Sequence, residues 1–295
     1  MPGDRPLRLA TRRSAQARTQ AQAVADALMA AWPDRVVELV LVDTMGDRPQ
    51  YADVPLHTIG GQGVFVKDVQ NAVLRGDADM ASHSAKDLPA VAAHGLQLGA
   101  FCARRDPRDV LVGASLDHLP HGADVATGSV RRRAQLARVR PDLHFRELRG
   151  NIHTRLGKVP PGGAIVMAAA ALDILGLSDM IADYLPPALF VPSPGQGCVA
   201  IECRSDNDEM LAMLAAVDHE PSRRAVEVER AFLAELGAGC SLPVGAHASD
   251  GVLTAFLAAD DGSQQLIETI NLPEDHSQAI ARCVALARSM HDRLQ

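Results

Sequence analysis

Hydrophobic positions recur with two different periods along the first part of the chain. Short apolar runs at 7–11, 35–44 and 78–84 are typical of buried strands. The alanine-rich segment 14–32 and the amphipathic segment 63–76 instead have helical spacing, and Ser14 can cap the first of them. Strands that alternate with helices predict parallel sheets with crossover helices, and therefore an α/β fold class.

The same alternation continues beyond the first hundred residues. Strand–helix units are predicted at 124–140, 143–159 and 164–177. The long polar stretch 45–63 is rich in glycine and proline, which predicts a loop, and its length favours a functional one.

The pattern changes after residue 217. Segment 222–237 is predicted to be a helix, and 251–272 a β-hairpin that turns at Asp-Asp-Gly-Ser. A second amphipathic helix, 276–294, follows the hairpin. This part of the chain is therefore predicted to form a small α+β unit of its own.

The amino-acid composition and net charge argue against several classes of protein. The 295 residues are 47% hydrophobic, enough for two or three domains with sizeable cores. No apolar run is long enough to cross a bilayer, and the first residues contain no apolar segment typical of a signal peptide, so we expect a cytoplasmic protein without membrane contact. A net charge of −7 argues against nucleic-acid binding.

Four polar turns are predicted at the carboxyl ends of strands, where open sheets bind ligands. They are 11–14, 83–87, 127–132 and 148–155. Arginine at any one of them is more typical of solvated surface, but we expect the four to share one sheet edge beside helix N-termini. Together they predict a cleft for a small polyanion. The arginines concerned are Arg12, Arg13, Arg131, Arg132, Arg149 and Arg155.

Asp87 is the one carboxylate in these basic turns, and it directly follows Lys86. Turn aspartates usually bond the local backbone, which is one interpretation. The other is a functional carboxylate that the neighbouring cations keep ionised, and that stabilises a positive centre on a ligand.

Cys240 differs from the other cysteines in its surroundings. Cys198, Cys203 and Cys283 lie in apolar segments and are predicted to be buried and structural. Cys240 lies between small residues in GAGCSLPVGA, just after a helix, which favours an exposed loop and a covalent attachment point or nucleophile. No cysteine pair has the spacing of a metal site, so we expect reduced thiols and no metal.

An ordered set of motifs resembles one family, porphobilinogen deaminase, also called hydroxymethylbilane synthase. The resemblance runs from about residue 7 to residue 250. The motifs are TRRS, GGQGVFVKDV, HSAKDLP, RRDPRD, TGSVRRRAQL, LRGNIHTRL, PGQG with IECR, ERAFLAEL and GAGCSLPVGA.

The resemblance implies an activity and a cofactor. It implies a transferase that joins four porphobilinogen molecules head to tail, with loss of ammonia from each, and releases hydroxymethylbilane by hydrolysis. The growing chain is built on a dipyrromethane cofactor joined by a thioether to Cys240. Asp87 would contact pyrrole N–H groups and stabilise cationic intermediates.

The resemblance also implies binding residues and a domain division. Residues matched to cofactor or substrate binding are Arg12, Ser14, Phe65, Ser84, Lys86, Thr127, Ser129, Arg131, Arg132, Arg149, Arg155 and Gln196. We expect a monomer with two α/β domains like those of periplasmic binding proteins, and a small C-terminal α+β domain that carries Cys240. Their bounds are predicted as 1–103 with 196–217, 104–195, and 218–295.

The chain departs from the family pattern at several positions. Ile174 stands where an arginine is expected, Gly128 where serine is usual, and Thr58 and Gln62 where lysines are frequent. The turn TRRSAQA also lacks a proline and a leucine that often follow its serine. These differences leave open a non-catalytic or altered-specificity paralogue that binds an anionic pyrrole or a similar small polyanion.

Overall fold

The structure is a computed structural model, and it describes residues 5–44, 63, 65–237, 243–259, 262 and 264–294. It divides into two compact units. The first contains Met1–Arg104 and Cys198–Arg223, and the second Arg105–Gly197 and Arg224–Gln295. The division into three domains stays a prediction, since the C-terminal segment groups with the second unit.

Thirteen strands are present in the part of the chain that the structure describes. In chain order they are β1 (Leu7–Arg12), β2 (Val37–Val42), β3 (Met80–Ser84), β4 (Leu96–Phe101), β5 (Asp109–Gly113), β6 (Asp124–Ala126), β7 (His144–Arg146), β8 (Ala164–Ala168), β9 (Ile181–Leu185), β10 (Val199–Arg204), β11 (Val244–Ser249), β12 (Val252–Ala258) and β13 (Gln265–Asn271).

Eight α-helices accompany these strands within the described ranges. They are α1 (Ala15–Ala31), α2 (Lys67–Leu74), α3 (Val130–Val139), α4 (Ile152–Leu156), α5 (Ala169–Asp173), α6 (Asp208–Leu214), α7 (Glu220–Glu235) and α8 (His276–Asp292). Short 3-10 turns lie at Ala85–Asp87, Leu116–His118, Ser178–Met180 and Ala215–Val217.

Each unit contains one five-stranded sheet of mixed direction. The first has the order β2-β1-β3-β10-β4, and β10 runs antiparallel to both its neighbours. The second has the order β7-β6-β8-β5-β9, in which β5 is the antiparallel strand. The remaining pairs, β1 with β2 and β3, and β6 with β7 and β8, are parallel.

The α/β fold class is confirmed. The predicted parallel pairing is found for β1 with β2 and β3 and for β6 with β7 and β8, whereas the pairs of β5 and β10 are antiparallel. Strands β5 and β10 each follow closely after a point where the chain passes from one unit to the other. Such a strand has no local crossover helix to impose a parallel direction. Sequence patterns within one segment carry no information about that passage.

The C-terminal segment forms the predicted α+β unit. Strands β11, β12 and β13 make an antiparallel sheet, and β12 and β13 form the predicted hairpin. Helix α8 lies at the predicted position and buries one face, including Ala279, Cys283 and Met290. The Cys283 thiol donates a hydrogen bond to the Val228 carbonyl of α7, which joins the two helices.

The core of the first unit explains the position of its first helix. Helix α1 buries Ala21, Val24, Ala25 and Leu28 against the apolar face of its sheet. Its start is capped as predicted, because the Ser14 hydroxyl accepts a hydrogen bond from the Ala17 N–H at 3.3 Å. The turn that follows β1 is therefore held by a cap and by a buried helix face.

Among the described helices, none combines the length and the apolar composition that crossing a bilayer requires.

Candidate active site

Two of the four polar turns lie side by side at one edge of the first sheet. Strands β1 and β3 are parallel neighbours, so their carboxyl ends meet at the same edge. The Ser84 hydroxyl donates to Gln20 Oε1 on α1 at 3.2 Å, which joins the second turn to the helix of the first. The Arg12 guanidinium lies 4.1 Å from the centre of the Phe65 ring, in a cation–π contact.

Asp87 ends a short 3-10 turn that is fastened from both sides. Ala85 and Leu88 are buried, at 1% and 2% exposure, and the Ala85 N–H donates to the Cys198 carbonyl at 2.9 Å. Lys86 and Asp87 lie between these anchors and are half-buried. The fold therefore presents both charged side chains at the end of β3 while the backbone beneath them is fixed.

A buried polar cluster that the sequence did not reveal lies just before this turn. His83 Nε2 lies 3.1 Å from Glu202 Oε2, and the Gln70 amide donates to the same oxygen at 2.8 Å. All three side chains are buried. The cluster joins β3, β10 and α2 directly behind Ser84, so it contributes to the rigidity of the Asp87 turn.

The other two polar turns follow β6 and β7, which are parallel neighbours in the second sheet. The prediction that all four turns share one sheet edge was therefore wrong, because they divide between two sheets. Ser129 caps α3 by accepting from the Arg132 N–H at 3.4 Å. A Cβ atom at Gly128 would lie 2.9 Å from the Leu148 carbonyl oxygen, so glycine there permits close contact between the two turns.

Arg131 and Arg132 point inward onto Asp109, an acidic residue that the sequence pattern does not single out. Their side chains are 6% and 9% exposed, and each guanidinium lies 2.7 Å from a carboxylate oxygen of Asp109. Each also donates to a main-chain carbonyl, Arg131 to Val191 at 2.5 Å and Arg132 to Val166 at 2.9 Å. Their predicted role in ligand binding stays a prediction.

Gln196 belongs to the same cluster. Its amide donates to Asp109 Oδ1 at 3.0 Å and to the Pro107 carbonyl at 2.7 Å. The motif PGQG places it there, because Gly197 has φ +87° and a Cβ atom on it would lie 2.6 Å from the Arg105 carbonyl oxygen. The structure thus joins Gln196 to two of the predicted arginines through Asp109.

Electrostatic interactions among Asp109, Arg131 and Arg132 keep all three side chains ionised. Burial by itself raises the pKa of Asp109, but the guanidinium groups of Arg131 and Arg132 outweigh it and hold that pKa at about 2. Burial also lowers the pKa of Arg131, yet a guanidinium stays protonated near neutral pH. Two cations therefore surround one anion, and these three residues carry a formal charge of +1.

Arg149 and Arg155 lie in and after the turn that follows β7. The Arg149 side chain is 15% exposed, and its Nε lies 3.9 Å from Glu147 Oε2. Arg155 is half-buried and donates to the Gly150 carbonyl at 2.7 Å. Arg149 lies beside the Thr127–Ser129 turn, since a Cβ atom at Gly128 would lie 3.7 Å from its Nε, and the described contact of Arg155 is with its own turn.

Ile174, which replaces the arginine expected from the family pattern, is half-buried at the end of α5. The neighbouring Asp173 forms an ion pair with Arg105 at 2.6 Å. A cation is therefore held next to this position, although it belongs to a different segment of the chain.

Cys240, with Thr58 and Gln62, lies outside the described residues. The structure describes α7 and β11, which lie before and after residues 238–242 in the chain, and Glu229 of α7 joins them. Its fully buried carboxylate accepts from the Ala248 N–H of β11 at 2.8 Å and from the Gly195 N–H of the PGQG turn at 2.7 Å. Helix α7 and strand β11 are therefore both joined to the turn that carries Gln196.

The four cysteines that the structure describes are free thiols, and Cys198, Cys203 and Cys283 are buried as predicted. Burial raises the pKa of Cys102 and of Cys203 to about 11, and that of Cys283 to about 12. Nearby carboxylates add to each shift, namely Asp218, Glu202 and Glu229. These thiols are poor nucleophiles near neutral pH.

We expect the thiols of Cys102, Cys203 and Cys283, whose pKa values are raised, to resist alkylation in the folded protein. A pKa raised by two units lowers the thiolate fraction about 100-fold at pH 7.5. Iodoacetamide labelling followed by peptide mass spectrometry measures this, with the urea-unfolded protein as the reference. Labelling of Cys203 in the native protein at the unfolded rate would contradict the prediction.

No group of three or more His, Cys, Asp or Glu side chains suited to a metal ion occurs among the residues that the structure describes.

Comparison with protein families identifies the relationship. A family model described as porphobilinogen deaminase, dipyromethane cofactor binding domain, matches residues 7–212. The chain belongs to the porphobilinogen deaminase family. A second model of that family, its C-terminal domain, matches residues 223–292. The two matches include both five-stranded sheets and the three-stranded sheet.

Individual relatives agree with this assignment. The chain is 48% identical over 258 residues to the porphobilinogen deaminase of Acidothermus cellulolyticus, covering 84% of this chain and 76% of that protein. It is 43% identical over 270 residues to the porphobilinogen deaminase of Syntrophobacter fumaroxidans, covering 88% and 87%.

Some solved structures that resemble the chain are more distant in sequence. One is the periplasmic VFT2 domain of Bordetella pertussis BvgS, with a TM-score of 0.40 and 16% identity over 76% of this chain and 90% of that domain. A likeness of this size supports no functional conclusion.

Proposed function

We propose that this protein is a hydroxymethylbilane synthase. It joins four molecules of porphobilinogen head to tail, releases four molecules of ammonia, and consumes one water molecule to release hydroxymethylbilane. The observation that carries the proposal is the match of residues 7–212 to the dipyrromethane cofactor binding domain of the family. Both residues that the chemistry requires, Asp87 and Cys240, are present in the sequence.

The charges of the described residues suit a polyanionic primer. Dipyrromethane, held covalently at Cys240, supplies a primer that bears carboxylates and to which new pyrrole units are added. Asp109 balances only one of the two buried guanidinium groups beside it. Carboxylates of a ligand would offset the remaining positive charge, so the donor set fits this group.

The binding residues form two sets, one in each unit. Guanidinium and ammonium groups bind the acetate and propionate side chains of the substrate, and the hydroxyl groups donate hydrogen bonds to them. Phe65 orients Arg12 through the cation–π contact between them. The first set is Arg12, Ser14, Phe65, Ser84 and Lys86, and the second is Thr127, Ser129, Arg131, Arg132, Arg149, Arg155 and Gln196.

Asp87 is the proposed catalytic residue. Its carboxylate accepts hydrogen bonds from pyrrole N–H groups and stabilises the positive charge that develops as the amino group of porphobilinogen leaves as ammonia. The buried anchors Ala85 and Leu88 fix the turn on which it lies. A carboxylate held in this way needs little reorganisation when the charge appears.

We further propose that the protein acts in the cytoplasm as a monomer, without a nucleic-acid or membrane partner. The net charge of −7 disfavours polyanionic surfaces as partners. Free thiols at the four described cysteines are typical of a reducing compartment.

The stoichiometry of the products tests the function. Purified protein incubated with porphobilinogen should release ammonia and an open-chain tetrapyrrole in a ratio of about four to one, set by the balanced reaction. An ammonia assay and mass spectrometry of the products measure both. Binding of porphobilinogen without ammonia release would instead support the non-catalytic paralogue.

A further inference from the structure

The cluster around Asp109 has a feature that the proposed binding roles do not explain. Asp109 is completely buried, and its carboxylate contacts two guanidinium groups and one amide. None of the four side chains is more than 9% exposed. The carboxylate is thus the centre of the cluster, and Arg131, Arg132 and Gln196 are arranged around it.

The geometry gives each arginine a defined orientation. Arg132 donates to Asp109 Oδ1 from Nε at 2.9 Å and from Nη2 at 2.7 Å, while its Nη1 donates to the Val166 carbonyl. Arg131 Nη2 lies 2.7 Å from the other oxygen, Oδ2, and its Nη1 donates to the Val191 carbonyl. Three donors of the Arg132 guanidinium and two of the Arg131 guanidinium are therefore held, which leaves both side chains little rotamer freedom.

Asp109 also reduces the repulsion between the two cations. Both arginines lie in consecutive positions near the start of α3, and like charges in a buried setting destabilise each other. A carboxylate between them lowers that energy and leaves one positive charge in excess. A ligand carboxylate can therefore meet guanidinium groups that are already ordered.

We propose that Asp109 is a positioning residue for the reaction, which orders Arg131 and Arg132 for the carboxylates of the pyrrole chain. The inference rests on the proposed function. Gln196 then acts through Asp109, since its amide contacts that carboxylate and the Pro107 carbonyl. It supports the centre of the cluster from the PGQG turn.

Two near-isosteric variants test the inference in the full-length chain. Asp109→Asn removes the central charge and keeps the shape, and Gln196→Met removes the amide and leaves every charge in place. Four quantities are measured: the rate at which apo-protein supplied with porphobilinogen gains the dipyrromethane mass, KM for porphobilinogen, kcat, and the unfolding midpoint.

The expected result is slower primer acquisition and a higher KM. Asp109→Asn should slow acquisition and raise KM about 10- to 100-fold, as expected for lost charge-assisted contacts, and Gln196→Met about 3- to 10-fold. KM should change more than kcat, because the arginines bind carboxylates remote from the bond that forms. If Asp109 had only a structural role, Asp109→Asn would lower the unfolding midpoint. KM and the rate of primer acquisition, measured well below the temperature of that midpoint, would then be unchanged.

A control variant and the wild-type protein distinguish a failure of the Asp109 inference from a failure of the proposed function. Asp106→Asn, in the same segment, removes a partly exposed ion pair with Arg108 and should leave acquisition and KM within about twofold of wild type. Folded variants with wild-type KM and acquisition would overturn the inference. If Asp109→Asn does not fold, Gln196→Met decides between the same two outcomes. A wild-type protein that gains no primer would overturn the proposed function, and the inference with it.

Discussion

The Cys240→Ser protein is expected to carry no dipyrromethane and to have no measurable turnover. A serine hydroxyl is far less acidic than a thiol, so it is a weak nucleophile without a general base and does not form the thioether. Intact mass spectrometry measures this directly. Wild-type protein made in porphobilinogen-replete cells should exceed its chain mass by one dipyrromethane, and the variant should not.

A matched serine substitution controls for the loss of a thiol as such. Cys102 is half-buried, and burial raises its pKa to about 11, so Cys102→Ser should keep both the added mass and the activity. A bare chain mass for the wild type, or an undiminished adduct in Cys240→Ser, would remove Cys240 from its proposed role.

The Asp87→Asn protein is expected to fold normally and to lose turnover by at least about 1000-fold. The substitution keeps the size of the side chain and removes the charge that stabilises the developing positive centre. Folding should persist because Ala85 and Leu88, which anchor the turn, are unchanged and buried. Steady-state rates of ammonia release and thermal unfolding measure the two effects separately.

Asp77→Asn is the matched control for this substitution. Asp77 is an exposed residue of the same unit that pairs with Arg75 at 2.8 Å, and exposed pairs contribute little to stability. Its turnover should equal that of the wild type. Turnover near the wild-type rate in Asp87→Asn would exclude Asp87 from the mechanism.

The local elements of the fold could be predicted because each depends on residues close together in the chain. The apolar period of α1, its Ser14 cap and the β12–β13 hairpin all appear where the pattern indicates them. The polar turns after β1, β3, β6 and β7 also follow from strand ends alone. Such features need no knowledge of how distant segments meet.

The direction of β5 and β10 could not be predicted in this way. Each lies antiparallel between two other strands of its sheet, β10 between β3 and β4, and β5 between β8 and β9. The direction of each strand depends on where the chain enters the unit from the other one, which no local period encodes. For the same reason, the four polar turns divide between two sheets rather than sharing one edge.

The same distinction between local sequence and tertiary structure applies to the candidate site. The sequence by itself determined which side chains are available: arginine-bearing turns, a carboxylate at Asp87 and a cysteine at 240 between small residues. Only the tertiary structure decided that Arg131 and Arg132 turn inward onto Asp109, more than 20 residues away along the chain, with Gln196 beside it. The reason is physical: a fully buried carboxylate is stable only where cations and donors surround it, and the fold supplies those from separate segments.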